Sequence, residues 1–147
     1  MPKADIKESG EIVVSSQKNE LKRIFDLIHN SLKPYHPSND FKLKLNLVIE
    51  EIFINIVKHG YKESKQNKVK ISYLISENPL AINIRFIDNG ILFNPLKYMN
   101  DLDLYMDNID YEKSGLGIII IKNNVDEVSY KTKNNQNILS FKKIIKD

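Results

Sequence analysis

Cysteine and tryptophan are absent from the 147 residues, and histidine (three), glycine (five) and proline (five) are scarce. Without cysteine there can be no disulfide, thiolate zinc site, iron–sulfur cluster or cysteine nucleophile. His29, His36 and His59 are too few for a histidine-rich metal centre. No apolar run approaches the ~20 residues of a membrane-spanning helix; the longest notable one, Ile118 to Ile121, stops after a single helical turn. The N-terminus, Met1-Pro2-Lys3-Ala4-Asp5-Ile6-Lys7-Glu8, is charged from its third residue and has no apolar stretch of signal-peptide type. A cytoplasmic protein that avoids the membrane is the expectation.

Arginine is nearly missing as well. Of 22 basic residues only Arg23 and Arg85 are arginine, set against 19 acidic residues for a net charge of +3. The lysines are spread along the chain, whereas nucleic-acid recognition calls for a clustered basic face with arginine and aromatics. Direct nucleic-acid binding is therefore not expected. What remains is 41% hydrophobic and 28% charged, the composition of one ordinary folded domain over 1–147. At about this length folding buries ~68–70% of the unfolded surface, so a core forms without covalent staples.

Ile12, Val13 and Val14, within Glu11–Ser16, form a short β-type run. From Gln17 to Leu32 the spacing of Leu21, Ile24, Phe25, Ile28 and Leu32 predicts an amphipathic helix. Pro34 and Pro37 break it, and Ser38, Asn39 or Asp40 can cap a second helix, Asp40–Lys58, whose wide apolar stripe predicts burial. Gly60 suits a left-handed end to that helix. Alternation over 69–76 and 81–87 around Asn78-Pro79 predicts a hairpin. A polar, irregular stretch from Asp88 to Ser114 reads as a lid or binding loop starting near Phe93, or more plainly as a surface loop; Leu102, Leu104, Tyr105 and Met106 suit a helical turn within it. A short helix (116–124), a strand (125–131), an Asn-rich turn and a last strand (138–144) close the chain. The class is α+β: a two-layer sandwich, with a mixed, mostly antiparallel sheet and helices packed on one face.

Three short patterns carry chemistry. Glu51, Asn55 and His59 stand at i, i+4 and i+8, on one helical line. A carboxylate beside a carboxamide offers oxygens to a hard cation, or a base beside an amide clamp; a polar stripe on an amphipathic helix is the plainer reading. Asp88-Asn89-Gly90 directly follows a strand. It is a common turn, and it also places a carboxylate where an exocyclic amine can donate to it, beside a glycine that lets a flat ring approach. Ser114-Gly115-Leu116-Gly117 opens an apolar helix, where backbone N–H groups at the positive end of the dipole can meet phosphate. It is not a P-loop, because no Gly-Lys-Ser/Thr follows.

In this order the patterns resemble the GHKL ATPase superfamily. More closely, Glu51-Ile-Phe-Ile-Asn55-Ile-Val-Lys-His59-Gly60-Tyr61, Asp88-Asn-Gly90-Ile-Leu-Phe93-Asn94-Pro95 and Lys113-Ser-Gly115-Leu-Gly117 resemble the boxes of the anti-sigma factor serine/threonine kinases of bacterial partner-switching systems. The passage through Val125-Asp126-Glu127-Val128 and the final Asn137-Ile-Leu139 fit the same pattern, so the likeness spans the chain. Two positions depart from it: Leu92 replaces the second glycine of Asp-x-Gly-x-Gly, which is expected to narrow the adenine pocket or alter the loop, and Ser114 replaces a glycine.

The resemblance implies a GHKL-type ATP-binding fold, ATP and Mg²⁺ as ligands, and phosphorylation of a serine or threonine on an anti-anti-sigma (STAS-domain) partner in regulation of a sigma factor. It implies Glu51 as general base and Asn55 as the Mg²⁺ ligand. Asp88 would read the adenine amine, with Gly90 making room for the ring. Lys113, Gly115, Leu116 and Gly117 would hold the phosphates. His59 receives no catalytic role. A non-catalytic ATP-gated binding module is the alternative, and a homodimer is left open.

Overall fold

The computed structural model describes residues 5–60, 67–98 and 116–146. Most of the expected lid, together with Tyr61, Lys113, Ser114 and Gly115, lies outside the described residues. Along the chain follow β1 (Ile6–Ser15), α1 (Leu21–Leu32), α2 (Asn39–Asn55), β2 (Lys68–Ser76), β3 (Ala81–Asp88), α3 (Leu116–Asn124), β4 (Glu127–Lys133) and β5 (Gln136–Ile144). The strands form one sheet in the order β1-β2-β3-β5-β4. Every described pairing is antiparallel, so the parallel component of the expected mixed sheet is not seen among the described residues.

Alternation decides which face is buried. Val69, Ile71, Tyr73 and Ile75 of β2, and Ile82, Ile84 and Phe86 of β3, turn inward onto the helices and are almost fully buried. Ile24, Ile28 and Leu32 of α1 and Leu45, Ile49, Ile52 and Phe53 of α2 meet them in one core. Among the described residues no helix is long and apolar enough to cross a membrane.

Boundaries differ from expectation where packing overrides local pattern. β1 starts at Ile6, well before the apolar run, because its backbone pairs with β2 from Ile6↔Ser76 to Ser15↔Lys68. Lys7 and Glu11 stand on this edge strand, where charge is tolerated and hides the strand from a hydrophobic reading. Residues Lys18–Glu20 form a 3₁₀ turn, which delays α1 to Leu21. Ser38 caps α2, its hydroxyl accepting from the Phe41 N–H at 3.1 Å. From Ile56 to Gly60 the helix widens into a π turn. The α-helical spacing that holds Glu51 and Asn55 therefore ends before His59.

The hairpin of β2 and β3 and the helix α3 keep their expected positions, while β4 and β5 meet at Asn134 and Asn135, both with positive φ (53° and 60°). Asparagine tolerates that region, which suits a two-residue hairpin turn. At the far end of β5 the amine of Lys143, 8% exposed, donates to the Asn124 carbonyl at 2.6 Å and lies 5.3 Å from the centroid of the Phe41 ring. This cation meets the negative end of α3 and ties it to the start of α2.

Candidate functional site

A cleft opens between the C-terminal part of α2, the first turns of α3, and the ends of β3 and β5. Ile52, Ile118, Ile121 and Leu139 supply its apolar floor, and Asn55, Asp88, Tyr130 and Asn137 its polar groups.

Asp88 continues the inward row of Ile82, Ile84 and Phe86, so sheet alternation carries a carboxylate into the interior. It is 5% exposed. Its Oδ1 accepts from the Gly90 N–H at 2.9 Å and from the Asn137 amide at 3.0 Å. Among the described residues nothing donates to Oδ2. Burial pushes the Asp88 pKa up, and the Asn137 and Gly90 donors oppose that rise.

Across the cleft, Glu51 and Asn55 stand one turn apart on α2 and face the first turn of α3. A Cβ at Gly117 would strike Glu51 Oε2 and come within 3.6 Å of Asn55 Nδ2. Glycine is required there for space, so that a carboxylate and a carboxamide can lie against the helix start. Burial raises the Glu51 pKa, the neighbouring Glu50 charge adds to the rise, and Lys58 opposes it. Among the described residues no cluster of three or more His, Asp or Glu side chains could cage a metal ion. A cation held here would depend on Asn55 together with the oxygens of a bound ligand.

The structure thus brings Glu51, Asn55 and Gly117 together, and sets Asp88 with Gly90 on the opposite rim. Leu116 begins α3. Lys113 and Gly115 lie outside the described residues. Leu92 does not narrow the cleft: it is 48% exposed and absent from the lining, to which its neighbours Ile91 and Phe93 contribute.

One residue given no role from the sequence is central. Asn137, 7% exposed, pairs with Asp88 across the β3–β5 ladder. Besides Asp88 it donates to the Ile91 carbonyl at 3.0 Å, and its oxygen accepts from the Phe93 N–H at 3.1 Å and from the Tyr130 hydroxyl. Asn137, Leu139, Phe141 and Lys143 alternate onto the core side of β5, but Ile138 between them is buried too, so parity alone does not mark Asn137 in the sequence. Chemically, the cleft offers the buried Asp88 acceptor at one end. At the other it offers a helix N-terminus flanked by a carboxylate and an amide, suited to a ligand with an amine-bearing ring and an anionic tail.

A family model described as histidine kinase-like ATPase domain matches residues 14–143. The anti-sigma F factor of Bacillus subtilis (strain 168) is 30% identical over 93 residues, covering 63% of this chain and 62% of that protein. That of Oceanobacillus iheyensis is 29% identical over 92 residues, 63% of this chain and 61% of its own. The match thus spans less than two thirds of these relatives. A crystal structure of the RsbU and RsbW domains of Rv1364c from Mycobacterium tuberculosis superposes with a TM-score of 0.64 at 13% identity, covering 95% of this chain and 33% of that one; this likeness concerns the fold.

Proposed function

From the premise that the chain belongs to the family of histidine kinase-like ATPase domains, we propose that it is an ATP-binding regulator of the anti-sigma type. In this reading it transfers the γ-phosphoryl group of Mg·ATP to a serine or threonine of a STAS-type anti-anti-sigma partner and controls a sigma factor in the cytoplasm. The working unit is a single domain over 1–147, able to pair as a homodimer. The similarity to proteins named anti-sigma F factor supports the regulatory role.

The observation that carries the nucleotide reading is Asp88: a buried carboxylate with one oxygen holding two protein donors and the other without a donor among the described residues. A buried acceptor without a donor is costly, by ~1–3 kcal/mol, and an adenine amine would satisfy it. Gly90 leaves room beside it for the ring. The phosphates would then lie against the start of α3, where Leu116 and Gly117 offer backbone N–H groups and where Gly115 and Lys113 act by resemblance. Asn55 would offer its side-chain oxygen to a Mg²⁺ ion, which would neutralise phosphate charge.

Glu51 then accepts the proton of the partner's hydroxyl. That hydroxyl oxygen forms a bond to the γ-phosphorus, the bond from phosphorus to the β–γ bridging oxygen breaks, and ADP departs with its electron pair. Burial raises the Glu51 pKa and so improves it as a proton acceptor. Phosphoryl transfer is mainly positioning and charge neutralisation, so no covalent residue is needed.

The test is transfer from labelled ATP, with Mg²⁺, to a STAS-domain protein encoded beside this chain. Glu51→Gln is expected to lower transfer by ~10²- to 10⁴-fold while nucleotide affinity is kept. Binding without transfer in the wild type would instead establish the non-catalytic, ATP-gated module.

A further inference from the structure

We propose that Asn137 is a positioning residue that selects which Asp88 oxygen a nucleobase meets and welds that reader to the 91–93 rim of the cleft. The proposal rests on the nucleotide reading of Asp88 given above, and it adds a residue that need not touch the ligand.

All four hydrogen-bonding positions of the Asn137 carboxamide are engaged. Its orientation is unambiguous, because the Phe93 N–H can only donate and the Ile91 carbonyl can only accept. The amide nitrogen must therefore face Asp88 and Ile91, and the oxygen must face Phe93 and Tyr130. Asp88 Oδ1 is held by two N–H donors, from Asn137 and Gly90, and cannot rotate into the cleft without breaking both. Oδ2 is left as the reader. As a carboxylate oxygen it accepts from an exocyclic amine, as in adenine. A 6-oxo group, as in guanine, would face it acceptor to acceptor.

The same amide shapes the rim. Ile91 and Phe93 line the cleft and are 54% and 44% exposed. Their backbone is tied to β5 through Asn137, and the Phe93 N–H also meets the Tyr130 hydroxyl, which itself donates to Asn137. Base recognition and rim conformation thus share one side chain. No other residue type supplies two donors and an acceptor in this plane at this length: threonine has one donor, aspartate none, and leucine fills space only.

Asn137 also stabilises the charged form of Asp88. Among the described residues the ionisable group facing Asp88 is the Tyr130 hydroxyl on β4, which burial holds protonated; from α2 and α3 the cleft receives Asn55, Ile52, Ile118 and Ile121, none ionisable, with Glu51 one turn back on α2. Losing the Asn137 donor raises the Asp88 pKa further, so a proton settles on Oδ2 at higher pH and turns the reader into a donor.

The experiment compares wild type with Asn137→Leu, using ATP and GTP in calorimetry from pH 5 to 8 and amide hydrogen exchange of Phe93 without nucleotide. Expected are reduced Phe93 amide protection, at least a ~10-fold weaker ATP affinity, a reduced ATP-over-GTP preference, and an acid limb of ATP binding moved to higher pH. A role in stability alone would leave the preference and the acid limb where they are. An unchanged preference and limb in a folded variant overturn the base-selection half, and unchanged Phe93 protection overturns the rim half whichever nucleotide binds. Should the wild type bind no ATP, the nucleotide reading fails and base selection falls with it, while the exchange result still decides the rim. Where Asn137→Leu does not fold, Asn137→Thr takes its place, with the same outcomes read at intermediate size.

Discussion

Asp88 shows how one side chain can be unfavourable for the fold and still belong to the site. Burial raises its folded pKa above that of the unfolded chain, so near pH 7 the native state carries a charge it holds poorly. As pH falls through the raised folded value, the native state takes up the proton before the unfolded chain does, and the penalty is relieved. Asp88→Asn removes the charge and keeps an acceptor for the Gly90 and Asn137 donors, but it turns an amide nitrogen toward the cleft. The expected result is an apo protein melting no lower than wild type at pH 7, with ATP affinity reduced by about 1.5–3 kcal/mol, ~10- to 150-fold. Calorimetry and thermal melts check both halves, and wild-type ATP affinity in the variant would remove Asp88 from the base site. From the sequence, Asp88 was legible because a carboxylate followed by Asn-Gly closes an apolar strand. Asn137 was not, because Ile138 beside it is apolar too and either parity of β5 reads as the inward one.

At the scale of elements, α3 joins the site to the frame. Its boundaries followed from four isoleucines behind a glycine-bearing start, but its position depends on its two ends. Lys143 meets the last carbonyl, and Glu51 and Asn55 crowd the first turn at Gly117. Helix propensity alone favours alanine over glycine by about 1 kcal/mol, so at position 117 propensity and site geometry conflict. The obstructing atom is the end of a flexible glutamate, which can swing aside. Gly117→Ala is therefore expected to leave stability unchanged or raised by up to ~1 kcal/mol, while it displaces the Glu51 carboxylate and lowers phosphoryl transfer at least tenfold. Melting curves and transfer assays on the same preparation separate the two effects. β1 teaches the reverse lesson about legibility. Its first half is too charged to read as a strand, and only pairing with β2 makes it one. The π turn after Asn55 was likewise invisible, since nothing in Ile56-Val57-Lys58 departs from an α-helical pattern.

For the whole molecule, the cleft is a junction: α2, α3, β3, β4 and β5 each contribute lining, and no segment holds a site by itself. A ligand bound there should couple to global unfolding. With ATP and Mg²⁺ at a hundredfold excess over Kd, linkage gives about 2.7 kcal/mol of stabilisation, which for a domain of this size is a rise in Tm of ~5–10 °C. Thermal melts with and without nucleotide test this, and no rise at saturating ATP would place the nucleotide outside the native fold. The amino-acid sequence by itself determined the α+β class, the hairpin and the helices, and made Glu51, Asn55, Asp88 and Gly117 candidates, because periodicity and turn chemistry are local properties. Only the tertiary structure decided that Asn137 faces Asp88, that Gly117 lies beneath Glu51, and that Leu92 turns out of the cleft. Those contacts join residues far apart in the chain, and strand register and helix packing, which no local pattern encodes, set them.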